Sequence, residues 1–171
     1  MSRACALESL DLSFSGVDVF PLLQVLRGNG SLTSLDVRKV PRVSTLYRML
    51  ADLLLLPETP CRLGFLRCDA FEVLEEESVL SLREVPLSEE AHPGGIQLLA
   101  GLLTHNQTLK ELDLTATDVD KEGAAALAAA VAVNTSLSTL RLQYNHALDD
   151  EAKAALRAAA ERRGVPLTLE L

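Results

Sequence analysis

The pattern L-x-x-L-x-L recurs along this chain, and an internal repeat constrains a fold more tightly than any single motif. The first copy runs Leu7-Glu8-Ser9-Leu10-Asp11-Leu12. Leu32, Leu35 and Val37 make the second, and Leu63, Leu66 and Cys68 the third. Leu82, Val85 and Leu87 read as the fourth, Leu109, Leu112 and Leu114 as the fifth, and Leu137, Leu140 and Leu142 as the sixth. Their first positions are 25, 31, 19, 27 and 28 residues apart. One match in a leucine-rich chain means nothing, but six in 171 residues are a signal. The last two apolar positions of each copy lie two apart, which is the period of a strand. The spacing predicts one short strand per copy in a parallel sheet. The longer intervals leave room for about three helical turns on the way back.

The return segments carry helical periodicity. Val19, Leu22, Leu23 and Leu26 make one apolar stripe, and Leu46, Met49, Leu50 and Leu53 the next. Ile96, Leu99, Ala100 and Leu103 follow, then Ala124, Leu127, Ala128 and Val131, then Ala152, Ala155, Leu156 and Ala159. Each lies at positions 0, 3, 4 and 7 of its helix. Asp120 and Asp149 are placed to cap helix N-termini, and Gly164 after Arg162 and Arg163 to end one. Asn29, Asn106 and Asn134 each begin an N-x-S/T triplet that runs straight into a strand leucine. That repeated placement is read as turn chemistry at helix ends rather than as glycosylation.

Composition narrows the function classes. Hydrophobic residues make up 48% and charged residues 23%, so the chain can build a core. Its length predicts a single domain over 1–171. The formal net charge of −8 disfavours nucleic-acid backbones as partners. Cys5, Cys61 and Cys68 form no C-x-x-C pair, and no zinc or disulfide framework is expected. No apolar run is long enough to span a membrane, and the start lacks a long apolar signal core. The chain is therefore expected inside the cell, in the cytoplasm, without cofactor or metal.

The stretch from Asn106-Gln107-Thr108-Leu109-Lys110-Glu111-Leu112-Asp113-Leu114 through Gly123–Leu127 to Asn134-Thr135-Ser136-Leu137 resembles leucine-rich repeats of the ribonuclease-inhibitor type. Asn145, three places after Leu142, stands where that motif has its asparagine. Ser15, Phe71 and Thr117 replace it in other copies. NOD-like receptors, Ran GTPase-activating proteins and tropomodulins share this repeat type. The resemblance implies an α/β fold: a short solenoid of six to seven repeats, with the parallel sheet on the concave side and helices on the convex side. It implies protein binding, because such repeats serve many binding roles.

Two irregularities stand out. The 19-residue interval around 63–82 cannot hold a strand and a full helix, so an extended return or a single helical turn is expected near Val73–Leu80. It is either a shorter repeat subtype or an insertion point. Asp69, Glu72, Glu75, Glu76, Glu77, Glu84, Glu89 and Glu90 crowd the same region, opposed within it only by Arg83. Such a run is either a solvated face or a surface that steers a basic partner. Neither end carries a recognisable cap, and the alternating run Val165–Leu171 reads as a last strand. Uncapped ends point to a larger complex, to end-to-end stacking, or to a longer solenoid.

Strand alternation predicts what faces the concave side. One row holds Asp11, Asp36, Arg67, Pro86, Asp113 and Arg141. A second holds Ser9, Ser34, Phe65, Glu84, Glu111 and Thr139. A third holds Ser13, Arg38, Asp69, Ser88, Thr115 and Gln143, edged by Phe14, Lys39 and Tyr144. If this face binds a partner, Phe65, Arg67, Asp113, Arg141 and Tyr144 are the candidate contacts, joined by Glu75, Glu76 and Glu77. No Ser or Cys has a base beside it, Cys68 reads as a packed thiol, and no carboxylate pair converges. A non-enzymatic scaffold or accessory subunit is expected. The alternative is a reversible inhibitor or activator of an enzyme such as a small GTPase.

Overall fold

The computed structural model describes residues 6–171; Cys5 lies outside them. The order is β1 (Ser9–Asp11), α1 (Val19–Arg27), β2 (Ser34–Asp36), α2 (Val43–Leu55), β3 (Phe65–Arg67), β4 (Glu72–Val73), β5 (Val79–Ser81), α3 (Gly95–Leu103), β6 (Glu111–Asp113), α4 (Lys121–Val133), β7 (Thr139–Arg141), α5 (Asp150–Arg162) and β8 (Thr168–Glu170). All five expected helices form over their predicted stripes. Asp120 and Asp149 cap α4 and α5 by accepting from Gly123 and Ala152 N–H groups. Asp18 does the same for α1 through Phe20. Gly164, with φ of +73°, follows the C-cap of α5.

The strands do not make one continuous sheet. Strands β1, β2 and β3 pair in parallel and β4 adds antiparallel to β3. Strands β5 to β8 form a second, all-parallel sheet. The register aligns Leu10, Leu35 and Leu66 in one sheet, and Leu80, Leu112, Leu140 and Leu169 in the other. The fourth copy therefore sits on Glu77, Leu80 and Leu82, five residues before the expected Leu82, Val85 and Leu87. Val79, Ser81 and Arg83 take the surface places expected for Glu84, Pro86 and Ser88. A backbone signature supports this register. Four residues after the central leucine, Phe14, Lys39, Glu84, Ala116 and Tyr144 all turn left-handed, with φ between 55° and 63°. At Phe14, Glu84 and Ala116 the turned N–H adds one rung to the ladder, donating to the carbonyls of Arg38, Thr115 and Gln143.

Between β3 and β5 no helix forms. The chain instead reverses through Cys68 and Phe71 into β4, turns at Leu74–Glu77, and re-enters as β5. The expected extended return is thus a small hairpin. Tyr47 of α2 pins it: its buried hydroxyl accepts the Ala70 N–H at 3.2 Å. Cys68 is packed beside it and donates its thiol to the Phe71 carbonyl. Burial pushes both the Tyr47 phenol and the Cys68 thiol above their usual pKa values.

The helix layer continues where the sheet stops. Consecutive helices pack in order, with α2 against α3 although the two are 40 residues apart in sequence. Helix α3 is buried on nearly all sides, as an apolar helix between two neighbours must be. Its Gly101 allows the approach, since a Cβ there would lie 2.8 Å from the Leu54 Cβ.

Asparagines close the helix-to-strand turns, and the two buried ones also fasten theirs to a neighbouring turn. Asn134 Oδ1 accepts from the Ser136 and Leu137 N–H groups at 3.0 and 2.8 Å. Its Nδ2 donates to the carbonyls of Leu103 and Asn106 at 2.7 and 2.9 Å. Asn106 repeats this with Thr108, Leu109 and the Gly64 carbonyl, and Asn29 closes the same turn with Ser31 and Leu32. These are the triplets read above as turn chemistry. Asn145 locks the strand exits, donating to the Leu114 and Leu142 carbonyls and accepting from Thr117 and Val119. Thr117 and Ser15 keep one of these bonds each, to the carbonyl three residues back.

Two measurements check these packing arguments. Asn134→Ala leaves two N–H groups and the Leu103 carbonyl buried without partners, while the Asn106 carbonyl keeps the Ser136 hydroxyl, so urea unfolding should show a loss of about 2–3 kcal/mol. The adjacent exposed Thr135→Ala should change it by less than about 0.5 kcal/mol. His105 has a buried Nε2 without a partner among the described residues, and burial holds its pKa below 6.5. The folded state then binds fewer protons than the unfolded chain, so this contribution to stability is full above pH 6.5 and is lost as pH falls through the folded value. His105→Gln should flatten the stability–pH profile between about pH 7 and 5.5 relative to the parent.

Candidate functional site

On the sheet face turned away from the helices, the side chains are free to differ from repeat to repeat. The first sheet uses that face to floor a cleft of about 540 Å³. Ser9 and Asp11 of β1, Ser34 and Asp36 of β2, and Phe65 and Arg67 of β3 form the floor. The hairpin segment Val73–Glu77 forms the wall. Five of the sequence-derived candidates meet here: Phe65, Arg67, Glu75, Glu76 and Glu77. Phe65 is half-buried, and the three glutamates are exposed.

The other three, Asp113, Arg141 and Tyr144, lie on the second sheet, so the eight candidates are not one site. Arg141 bridges the neighbouring strands, 3.3 Å from Glu111 on one side and 3.3 Å from Glu170 on the other. Those carboxylates raise its pKa above the ordinary arginine value. Asp113 accepts the Thr115 N–H at 2.9 Å, the bond that closes the strand exit. Asp11 and Asp36 do the same for Ser13 and Arg38. This repeated aspartate has a structural duty as well as an exposed edge. Tyr144 stands at the rim with 71% exposure, and Phe14 holds the equivalent place on the first sheet at 78%.

The acidic stretch is less uniform than its composition suggests. Four of its carboxylates are paired with cations from other segments or from the stretch itself. Glu72 lies 3.3 Å from Arg38 and 3.5 Å from Arg67, and Asp69 lies 3.4 Å from Lys39. Glu89 pairs with Arg48, and Glu84 with Arg83. Asp69 also accepts the Lys39 N–H, replacing the carbonyl that other repeats supply at that rung. Among the described residues, Asp11, Glu75, Glu76 and Glu77 form no ion pair within the cleft. The Ser13 hydroxyl and N–H hold the Asp11 carboxyl below its usual pKa, so it stays ionised. Asp36 is neutralised by Arg38 at 2.5 Å.

The cleft is thus a rigid floor, a wall latched by Glu72, and a surplus of four carboxylates. Sequence reasoning did not place the wall over the first sheet, because it set the fourth copy five residues late. No group of three or more His, Cys, Asp or Glu side chains among the described residues is arranged to hold a metal ion. No helix among them is long and apolar enough to cross a membrane.

The family described as "Leucine Rich repeat" matches residues 105–128 and 133–156. Those two stretches are leucine-rich repeats by this match. The first match covers the Asn106 turn, β6 and the first part of α4, and the second the Asn134 turn, β7 and the first part of α5. No curated protein matches the chain. Among solved structures, it is similar to the tropomodulin C-terminal domain of Caenorhabditis elegans, at 16% identity and a TM-score of 0.45, over 91% of this chain and 83% of that one. It is also similar to a leiomodin-1 structure described as actin-binding site 2, at 14% identity and a TM-score of 0.40, over 91% and 80%. A likeness this loose says nothing of what the chain binds. The ribonuclease-inhibitor subtype is not distinguished by these matches.

The latch can be checked directly. Glu72→Gln removes two half-exposed ion pairs, which together should cost no more than about 1 kcal/mol globally. Amide hydrogen exchange should rise about three- to fivefold in 69–77, with the second sheet unchanged.

Proposed function

We propose that this chain is a non-catalytic protein-interaction module, a small scaffold or accessory subunit that engages its partner through the sheet face opposite the helices. The observation that carries this reading is the first-sheet cleft. A repeated leucine and asparagine frame fixes the strands, and the face they present carries unrepeated side chains around a walled hollow. Such a volume lies within the range of binding clefts, and rigid frames lower the ordering cost of association. The exposed rim aromatics Phe14 and Tyr144 add the amphipathic anchors that interfaces favour.

The test is affinity capture of the tagged full chain from its native lysate at low and high salt, read by quantitative mass spectrometry. Ser34→Arg would fill the cleft, Tyr144→Ala would strip the second-sheet rim, and Val133→Ala would alter an exposed site on helix α4. The expected result is a stoichiometric partner set depleted about tenfold or more by at least one face variant and not by Val133→Ala. Survival at high salt would mark a built-in subunit, and loss there a reversible regulator. Partners kept by both face variants would refute the reading.

A further inference from the structure

Resting on the reading of the sheet face as the interaction surface, we infer that the first-sheet cleft receives an extended segment of a partner protein bearing lysine or arginine side chains. Charge complementarity selects that occupant. The cleft presents four carboxylates without an ion pair, Asp11 on the β1 side and Glu75, Glu76 and Glu77 on the wall. Its one cation, Arg67, is already held by Glu72. Carboxylates on opposite sides are reached together by a chain lying across the strands, not by one small ion, and they do not converge as metal ligands would. Ser9 and Ser34 leave room between the walls, and half-buried Phe65 offers an apolar surface for a lysine or arginine stem. The second sheet carries a smaller surplus, because Arg141 lies between Glu111 and Glu170 and offsets part of the charge they share with Asp113. A phosphate-bearing partner is repelled by the same carboxylates that attract a basic segment.

The experiment is fluorescence polarisation with the full chain and labelled peptides of about ten residues, long enough to cross three strands at about 4.8 Å spacing. One peptide alternates arginine or lysine with alanine, a second replaces every basic residue by glutamine, and a third by glutamate. The chain is compared with the triple variant E75Q/E76Q/E77Q and with E122Q/E151Q/E161Q, which removes the same charge from exposed positions on α4 and α5. All six side chains are exposed, so both variants should remain folded, the control with a slightly lowered unfolding midpoint because Glu122 and Glu151 stand in the first turns of α4 and α5. The basic peptide should bind the parent, weaken at least about tenfold on the cleft variant, and change less than about twofold on the control. Binding should also fall as salt rises to about 0.5 M, and the other two peptides should not bind. Equal weakening by both variants would assign the effect to overall charge and overturn the inference. So would failure of the basic peptide to bind. If Ser34→Arg still abolishes partner capture in that case, the face is an interface for a partner of other chemistry. If both face variants keep their partners, the broader reading fails with it.

Discussion

Between β3 and β5 the backbone ladder stops, and the two sheets are held side by side chiefly by the helix layer, where α2 packs on α3. That contact is close because Gly101 has no side chain against Leu54. Its buried part is apolar: Leu46, Leu50 and Leu54 of α2 and Leu98, Leu99, Leu102 and Leu103 of α3 are all fully buried. In a repeat fold each unit is stabilised by its neighbours, so a missing strand pairing must be offset by packing elsewhere. Here the helices supply it. The sheet is then free to break at the place where a helix is missing.

The break is what produces the cleft. A full repeat between β3 and β5 would place a helix on the far side and continue the strands without a wall. The short repeat has too few residues for that helix, so its chain turns back along β3 as β4 and projects Leu74–Glu77 beside the first-sheet face. The hairpin is tied from both sides. Tyr47 binds it from the helix layer, and Glu72 is gripped by Arg38 and Arg67 from the sheet. The surface feature that distinguishes this chain therefore arises from a local failure of its own periodicity.

Much of the frame was legible because it repeats. Every helix stripe, the Asp120 and Asp149 caps and the asparagine turns follow from patterns that recur with the same physical duty. The fourth copy was not legible, for a definite reason. Glu77 occupies its first apolar position, while Leu82, Val85 and Leu87, five residues on, match the apolar spacing of the repeat by coincidence. Glu77 is tolerated because that position has moved to the exposed wall. A left-handed residue four places after Leu10, Leu35, Leu80, Leu112 and Leu140 marks the true register, but Phe14, Lys39, Glu84, Ala116 and Tyr144 share no side-chain chemistry that reveals it. The candidate residues were legible as surface positions. Their division between two sheets was not, because it depends on the break.

Charge follows the same division. Counting acids along 69–90 treats the stretch as one acidic surface, yet cations distant in sequence neutralise much of it. Arg38 and Lys39 come from the exit of β2, Arg67 from β3, and Arg48 from α2. These pairs are partly exposed and individually worth little to stability. Their larger effect is on the field, because they cancel the carboxylates that hold the hairpin in place and leave those on its tip. The uncompensated charge is thus concentrated on the cleft wall, with Asp11 on the far side of a floor that includes Ser9, Ser34 and Phe65. Electrostatic complementarity acts on association rate and partner choice more than on raw affinity. A surplus placed at the mouth of a cleft, rather than spread over the molecule, therefore selects among partners by where their positive charge lies.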